Sequence, residues 1–115
     1  MSLKTEKLGS LFTREISRII LEEVKNPKIK FVTITGCDIT NDLSYAKVSF
    51  LTLNREDKEE IEEALNSASK FIEIALSKSI DIRKMPEISF HYDNSVEYGE
   101  NIERKIQELK EENKL

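Results

Sequence analysis

The cationic side chains near the amino terminus lie at a spacing that could bind phosphate groups. Apolar residues recur at intervals of three and four positions across residues 4–25, which is typical of an amphipathic helix. Four cations separated by seven, four and seven residues then fall within a sector of roughly 40°, opposite the apolar stripe. These cations are Lys7, Arg14, Arg18 and Lys25, and Lys28 and Lys30 follow just past the predicted helix end. The pattern predicts one basic line suited to nucleic-acid phosphates, although composition alone favours an ordinary solvated face about equally.

A second candidate anion site lies in the middle of a longer helical pattern over residues 55–79. Small and polar residues, Ser67-Ala68-Ser69-Lys70, separate Leu65 from Phe71. A helix that breaks there would present backbone N–H groups to a phosphate. Lys70, Lys78, Arg83 and Lys84 could add positive charge. The unbroken apolar period favours instead a continuous helix with a small-residue packing contact.

Residue types that support catalysis are scarce. The only histidine, His91, alternates with Phe90 and Tyr92 and is therefore expected on the solvent face of a strand. Cys37 lies in a predicted strand with no histidine nearby in sequence, so we expect a buried small hydrophobic residue. The acidic run at residues 56–63 favours the positive end of a helix dipole rather than a metal site. The sequence therefore predicts no catalytic residue, no metal site and no cofactor.

Three strands and three helices would have to position these groups. Strands are predicted over residues 30–39, 44–53 and 87–92, and a last helix is predicted around Ile102, Ile106 and Leu109. The order α-β-β-α-β-α predicts an α+β domain with a three-stranded sheet covered by helices on one face. We expect a single domain over residues 1–109 and a polar, frayed tail over 110–115.

Composition limits the class of protein. The chain has 115 residues and a net charge of −4, unevenly distributed, so local patches decide where a polyanion could bind. No apolar run is long enough to cross a membrane, and no secretory signal is visible. With one cysteine, the sequence indicates a reducing cytoplasm, and a monomer is expected because no heptad pattern is apparent.

Five short segments carry a resemblance to a known family. They read NPKI at 26–29, VTIT at 32–35, DLSYAKV at 42–48, MPEI at 85–88 and YDNSVE at 92–97. In this order and spacing, the chain resembles the ribosome-binding factor A family over roughly residues 7–105. The resemblance implies a K-homology-like fold of the second type, with a kink at Ala68-Ser69-Lys70. The family's glycine in that kink is replaced here by Lys70.

The same resemblance implies a function. Members of the family are non-catalytic assembly factors that bind the immature small ribosomal subunit and assist late maturation of its ribosomal RNA, including in the cold. The implied partners are that subunit and its RNA, with no membrane and no small-molecule substrate. Phosphate contacts are then expected from the first helix and from residues 67–70, 78, 83 and 84.

Two other readings stay open from the residues alone. A protein–protein adaptor could use the sheet face bearing Thr33, Thr35 and Lys47, or the acidic helices. A small enzyme could be built around Cys37 or His91, although the acid–base and nucleophile pairs that such an enzyme needs are missing.

Overall fold

The computed structural model describes residues 3–29 and 31–95, together with residues 104 and 107. Between residues 3 and 92 the chain forms three α-helices and three strands, with single-turn 3-10 helices at Pro27–Ile29 and Arg55–Asp57. They are α1 (Leu3–Glu22), β1 (Val32–Ile39), β2 (Tyr45–Thr52), α2 (Lys58–Ser67), α3 (Ser69–Ser79) and β3 (Glu87–Tyr92). No helix among these is long and apolar enough to cross a membrane. The predicted last helix lies outside the described residues except for Arg104 and Gln107, which are helical and exposed, and the predicted tail at 110–115 lies outside them entirely.

The strands form one sheet in the order β1-β2-β3. β1 and β2 pair antiparallel, whereas β2 and β3 pair parallel because α2 and α3 carry the chain back across the sheet. The β1–β2 register shifts between Ile34 and Gly36, so a bulge interrupts the pairing next to the glycine. β-branched, aromatic and small residues alternate along β2 and β3, so that one face is buried. The buried set is Ala46, Val48, Phe50, Ile88, Phe90 and Tyr92.

All the helices lie against that buried face. α1 packs on β1 and on α3 and buries Phe12, Ile16 and Ile19 completely. At Gly9 the helix backbone comes so close to β1 that an added Cβ would lie 2.6 Å from the Cys37 carbonyl oxygen. The opposite face of the sheet, with Thr33, Thr35, Lys47 and His91, is exposed.

Side chains of α2 hold the outer edge of β3. The Asn66 carboxamide donates to the Phe90 carbonyl oxygen at 3.0 Å and accepts from the Phe90 N–H at 2.8 Å. The Glu62 carboxylate accepts from the Tyr92 N–H at 2.9 Å. An edge strand normally leaves such groups open to pairing with another chain, and these contacts close the edge.

Two predicted helix boundaries were wrong. α1 ends at Glu22 rather than at Lys25, because the Glu23 and Val24 N–H groups both turn back to the Ile19 carbonyl oxygen. The segment after α1 leads into Pro27, and the proline ring disfavours helical geometry at Asn26, the residue before it. Lys25 therefore lies beyond the helix.

The long second helix is broken at Ala68 into α2 and α3, so the continuous helix that the apolar period favours is not formed. Phe71, which lies at the edge of the apolar stripe formed by Leu65, Ile72 and Leu76, is 48% exposed.

Candidate nucleic-acid interface

The cations of α1 differ in how they are engaged. Lys7 and Arg14 are exposed. Arg18 is instead held by carboxylates, at 2.9 Å from Glu15 and 3.2 Å from Glu22, and these hydrogen bonds raise the pKa of its guanidinium. A cation already surrounded by carboxylates offers less net charge to a phosphate, so the predicted line weakens at Arg18.

The line weakens further beyond the helix. Lys28 forms an ion pair with Glu60 of α2, and the hydrogen bond to Glu60 raises the pKa of the Lys28 ammonium. Lys25 is exposed but lies in the irregular segment after α1, and Lys30 lies outside the described residues. The six cations predicted from spacing therefore do not form one continuous free line.

The other end of α1 carries the more open cations. Lys7 lines a groove together with Lys4 and with Arg83 of the α3–β3 connection. Lys84, the next residue, donates from its ammonium to the Ser44 hydroxyl at 3.1 Å. We call Lys4, Lys7, Arg83 and Lys84 the basic end. The structure thus joins Lys7 and Arg83, which the sequence places 76 positions apart along the chain, and adds Lys4, which helical spacing had not singled out.

The break at Ala68 is limited to one residue, whose own N–H stays bonded to the preceding turn of helix. Ala68 keeps right-handed backbone angles of φ −90° and ψ 0°, and its N–H bonds to the carbonyl oxygens of Ala64 and Leu65. The hydroxyls of Ser67 and Ser69 donate to the carbonyl oxygens of Glu63 and Asn66. The Ala68 N–H and the two serine hydroxyl hydrogens are therefore already donated to helix carbonyl oxygens.

The position of Lys70 explains why a glycine is dispensable there. Among the described residues other than glycine, only Leu43 has a positive φ, so the backbone at Lys70 needs no left-handed geometry. Lys70 is exposed in the first turn of α3. Its ammonium is therefore available where the family pattern has no side chain.

The exposed face of α3 combines cations with apolar side chains. Lys70, Ile74 and Lys78 are four residues apart, and Phe71 lies beside them on the same helix. Phe71 is 48% exposed and Ile74 is 59% exposed. We call Lys70, Phe71, Ile74 and Lys78 the α3 face. An exposed aromatic ring between cations can stack on a nucleobase while the cations contact phosphates.

The residues considered for catalysis are poorly placed for it. Burial, and secondarily the Asp38 carboxylate, raises the pKa of the Cys37 thiol to about 12, which keeps it protonated at neutral pH. His91 is exposed, with its Nε2 3.1 Å from the Ser89 hydroxyl. Within the described ranges no group of three or more His, Cys, Asp or Glu side chains could hold a metal ion. In the acidic run, Glu62 holds the edge of β3 instead.

Comparisons with known proteins agree along most of the chain. The family profile described as Ribosome-binding factor A matches residues 4–106. Ribosome-binding factor A of Staphylococcus epidermidis is 43% identical, with 98% of each chain covered. The protein of the same name from Macrococcus caseolyticus is 41% identical, with 95% of this chain and 96% of the relative covered.

Solved structures of similar proteins show the same fold. A Thermotoga maritima protein assigned to ribosome-binding factor A superposes with a TM-score of 0.71 at 25% identity, covering 83% of this chain and 92% of that one. Ribosome-binding factor A of Thermus thermophilus gives 0.69 at 20% identity, covering 76% and 94%. A homology model of the Thermus thermophilus protein, fitted into a cryo-EM map of its 30S complex, gives 0.65 at 19% identity, covering 78% and 96%. The expected α+β, K-homology-like fold is confirmed.

Proposed function

Because this chain belongs to the ribosome-binding factor A family, we propose that it binds the immature small ribosomal subunit and assists late maturation of its RNA, including in the cold. The observation that carries the proposal is the family match over residues 4–106. A homology model of the Thermus thermophilus protein of that name, fitted into a map of a 30S complex, supports the choice of subunit. The proposal includes action in the cytoplasm as a monomer, without a cofactor or a small-molecule substrate.

Two surfaces support RNA as the partner molecule within the subunit. The α3 face offers an exposed aromatic ring between two cations, and the basic end offers four cations beside the α3–β3 connection. Because α3 ends at Ser79 and the chain reaches Arg83 a few residues later, the two surfaces follow one another along the chain. Phosphate contacts of this kind position a protein on RNA without reading sequence. Recognition then depends on RNA shape and on unpaired bases.

In this proposal the protein acts by binding one arrangement of the RNA and not by catalysing a reaction. A protein shifts the RNA toward one arrangement only by binding that arrangement more tightly than the others. The Cys37 thiol is protonated at neutral pH, and His91 is exposed with one hydrogen bond, to the Ser89 hydroxyl. Both observations support a role without covalent catalysis. The net negative charge outside the two surfaces reduces nonspecific attraction to other RNA.

A pair of double charge reversals tests the surface assignment. Lys70→Glu with Lys78→Glu reverses the α3 face, and Lys47→Glu with Arg55→Glu reverses two exposed cations elsewhere. Each double variant changes the net charge equally, so a difference between them reports position rather than total charge. We expect the α3 variant to bind immature subunits at least tenfold more weakly at fixed salt, because two phosphate contacts are lost and two repulsions are added.

Circular dichroism checks that both double variants fold. The control variant should stay within about threefold of the unmodified protein. If the control loses binding and the α3 variant does not, the α3 face does not bind the subunit and the surface assignment is wrong.

A further inference from the structure

An apolar groove opens at the basic end. It has a volume of about 400 Å³, within the range of sites that hold small organic groups. Leu8 and Leu11 of α1 form one wall, and Leu43 and Ile82 form the other. All four side chains are only partly buried, so the groove presents an apolar surface to solvent.

The groove wall formed by Leu43 and Ile82 contains the only non-glycine residue of the described chain that has a positive φ. Leu43 has a φ of 60°, a conformation that costs a side-chain-bearing residue free energy and that Leu rarely adopts. The turn around it is fixed by its neighbours: the Leu43 N–H bonds to the Thr40 carbonyl oxygen at 2.9 Å. The Ser44 N–H bonds to the Thr40 hydroxyl and to the Asp42 carboxylate, each at 3.1 Å. This turn keeps the Leu43 side chain in the groove wall at a cost in backbone energy.

The rim of the groove is positively charged overall. Lys4, Lys7 and Arg83 line it, opposed by the single carboxylate of Asp81. The ion pairs of Arg18 and Lys28 lie away from the rim, and within the described part of the chain Lys4, Lys7 and Arg83 form no ion pair within 4.0 Å. The rim therefore keeps a net positive charge next to an apolar floor.

From these three observations we infer that the groove binds one unpaired nucleotide of the small-subunit RNA. The base enters between the leucines and Ile82, and its phosphate lies at the rim cations. The apolar groove can contact the ring faces of any of the four bases, so it does not select a sequence. The cations at the rim favour a ligand that carries phosphate. The inference rests on the proposed function, because it specifies how the basic end would contact RNA.

Methyl NMR of the full chain tests the inference directly. The protein, labelled at Leu and Ile methyl groups, is titrated with the single-stranded RNA hexamer U6, and separately with uridine 5′-monophosphate. The variant Ile82→Trp fills the groove, and Leu53→Trp places the same ring beside the opposite end of β2, where Leu53 is 84% exposed. Lys7→Glu with Arg83→Glu changes only exposed rim residues and provides a second test if Ile82→Trp fails to fold.

The expected result is a saturable shift of the Leu8, Leu11, Leu43 and Ile82 methyl signals by the hexamer. Ile82→Trp and the rim double variant should each weaken that binding at least fivefold, whereas Leu53→Trp should not. A hexamer that leaves the groove signals unmoved, or that binds Ile82→Trp unchanged, overturns the inference. Equal molar affinity for the monophosphate and the hexamer also overturns it, because the ligand would then be a free nucleotide.

A parallel sedimentation assay with immature small subunits separates this inference from the proposed function. If the subunits bind the unmodified protein and both groove variants equally, the proposed function stands and the inference that the groove binds a nucleotide is overturned. Unmodified protein that does not bind subunits overturns the proposed function, whatever the methyl signals show.

Discussion

Replacing Gly9 by alanine tests how closely α1 lies against the sheet. In an exposed helix interior, Gly→Ala stabilises a protein by about 1 kcal/mol, because alanine has the higher helix propensity. At Gly9 the new methyl carbon would lie 2.6 Å from the Cys37 carbonyl oxygen, closer than carbon and oxygen can approach. That oxygen belongs to the backbone of a paired strand, so it cannot move without displacing β1 or α1.

The two effects have opposite signs, and the steric one should be larger. Overpacking of this kind costs about 1–3 kcal/mol, so we expect Gly9→Ala to lower the free energy of unfolding by about 1 kcal/mol net. Because α1 also carries one wall of the groove, the displaced helix should weaken RNA binding as well.

Urea denaturation of three proteins provides the measurement. The unmodified chain and Gly9→Ala are compared with Gly36→Ala, where an added Cβ meets nothing within 4 Å and no positive φ is required. The control should change the free energy of unfolding by less than about 0.5 kcal/mol. A Gly9→Ala variant that is more stable than the unmodified protein by about 1 kcal/mol would refute the close approach of α1 to β1.

Three further predictions concern the sheet edge, the β1–β2 turn and the thiol. Asn66→Ala should lower the free energy of unfolding by about 1–3 kcal/mol, because two backbone groups at the outer edge of β3 lose their partners. Amide hydrogen exchange at that edge should also become faster. An unchanged free energy of unfolding in urea would contradict this prediction. Hydrogen bonds, chiefly from the Thr40 hydroxyl, lower the pKa of Asp42 in the folded protein. The ionised carboxylate therefore stabilises the fold fully above the unfolded pKa of about 3.9, and this stabilisation is lost as the pH falls through the folded pKa. Asp42→Asn should therefore destabilise the protein at pH near 7 and make little difference at acid pH, and urea midpoints that differ equally at both would exclude the carboxylate as the cause. With its thiol pKa raised to about 12, Cys37 should react with a disulfide reagent at pH near 8 far more slowly in the folded protein than in urea, and equal rates would show that it is not protected.

Much of the fold follows from local patterns in the sequence. β3 was predicted with its observed bounds, because β-branched and aromatic residues alternate there. β1 and β2 were each placed within two residues at either end. The α-β-β-α-β order and the single covered face also followed from periodicity.

The break at Ala68 did not follow from the apolar period, because the period of buried residues continues through it. Ile72 and Leu76 are buried in phase with Leu65, so hydrophobic spacing carries no signal for a change of axis. Only the resemblance indicated a kink there. Spacing also placed Phe71 among the apolar positions of the helix, although the ring is 48% exposed.

The basic end could not be predicted from helical spacing alone. Spacing placed Lys7, Arg14 and Arg18 on one side of α1, but it could not show that glutamates on the same helix would engage Arg18. It also could not show that Arg83 returns to the amino-terminal half of α1, since that contact depends on the packing of α1 against α3. The strained turn at Leu43 left no composition signal, because leucine rarely adopts a positive φ.

The central claim is selective, electrostatic binding to an immature small ribosomal subunit. Co-sedimentation of the full chain with immature and mature small subunits, between about 50 and 200 mM salt, tests it most directly. If four of the six cations on the two surfaces contact phosphates, affinity should fall by roughly 50- to 150-fold across that range, with tighter binding to the immature particle throughout. A folded chain that does not bind at the lowest salt, or that binds both particles equally and without salt dependence, would contradict the account.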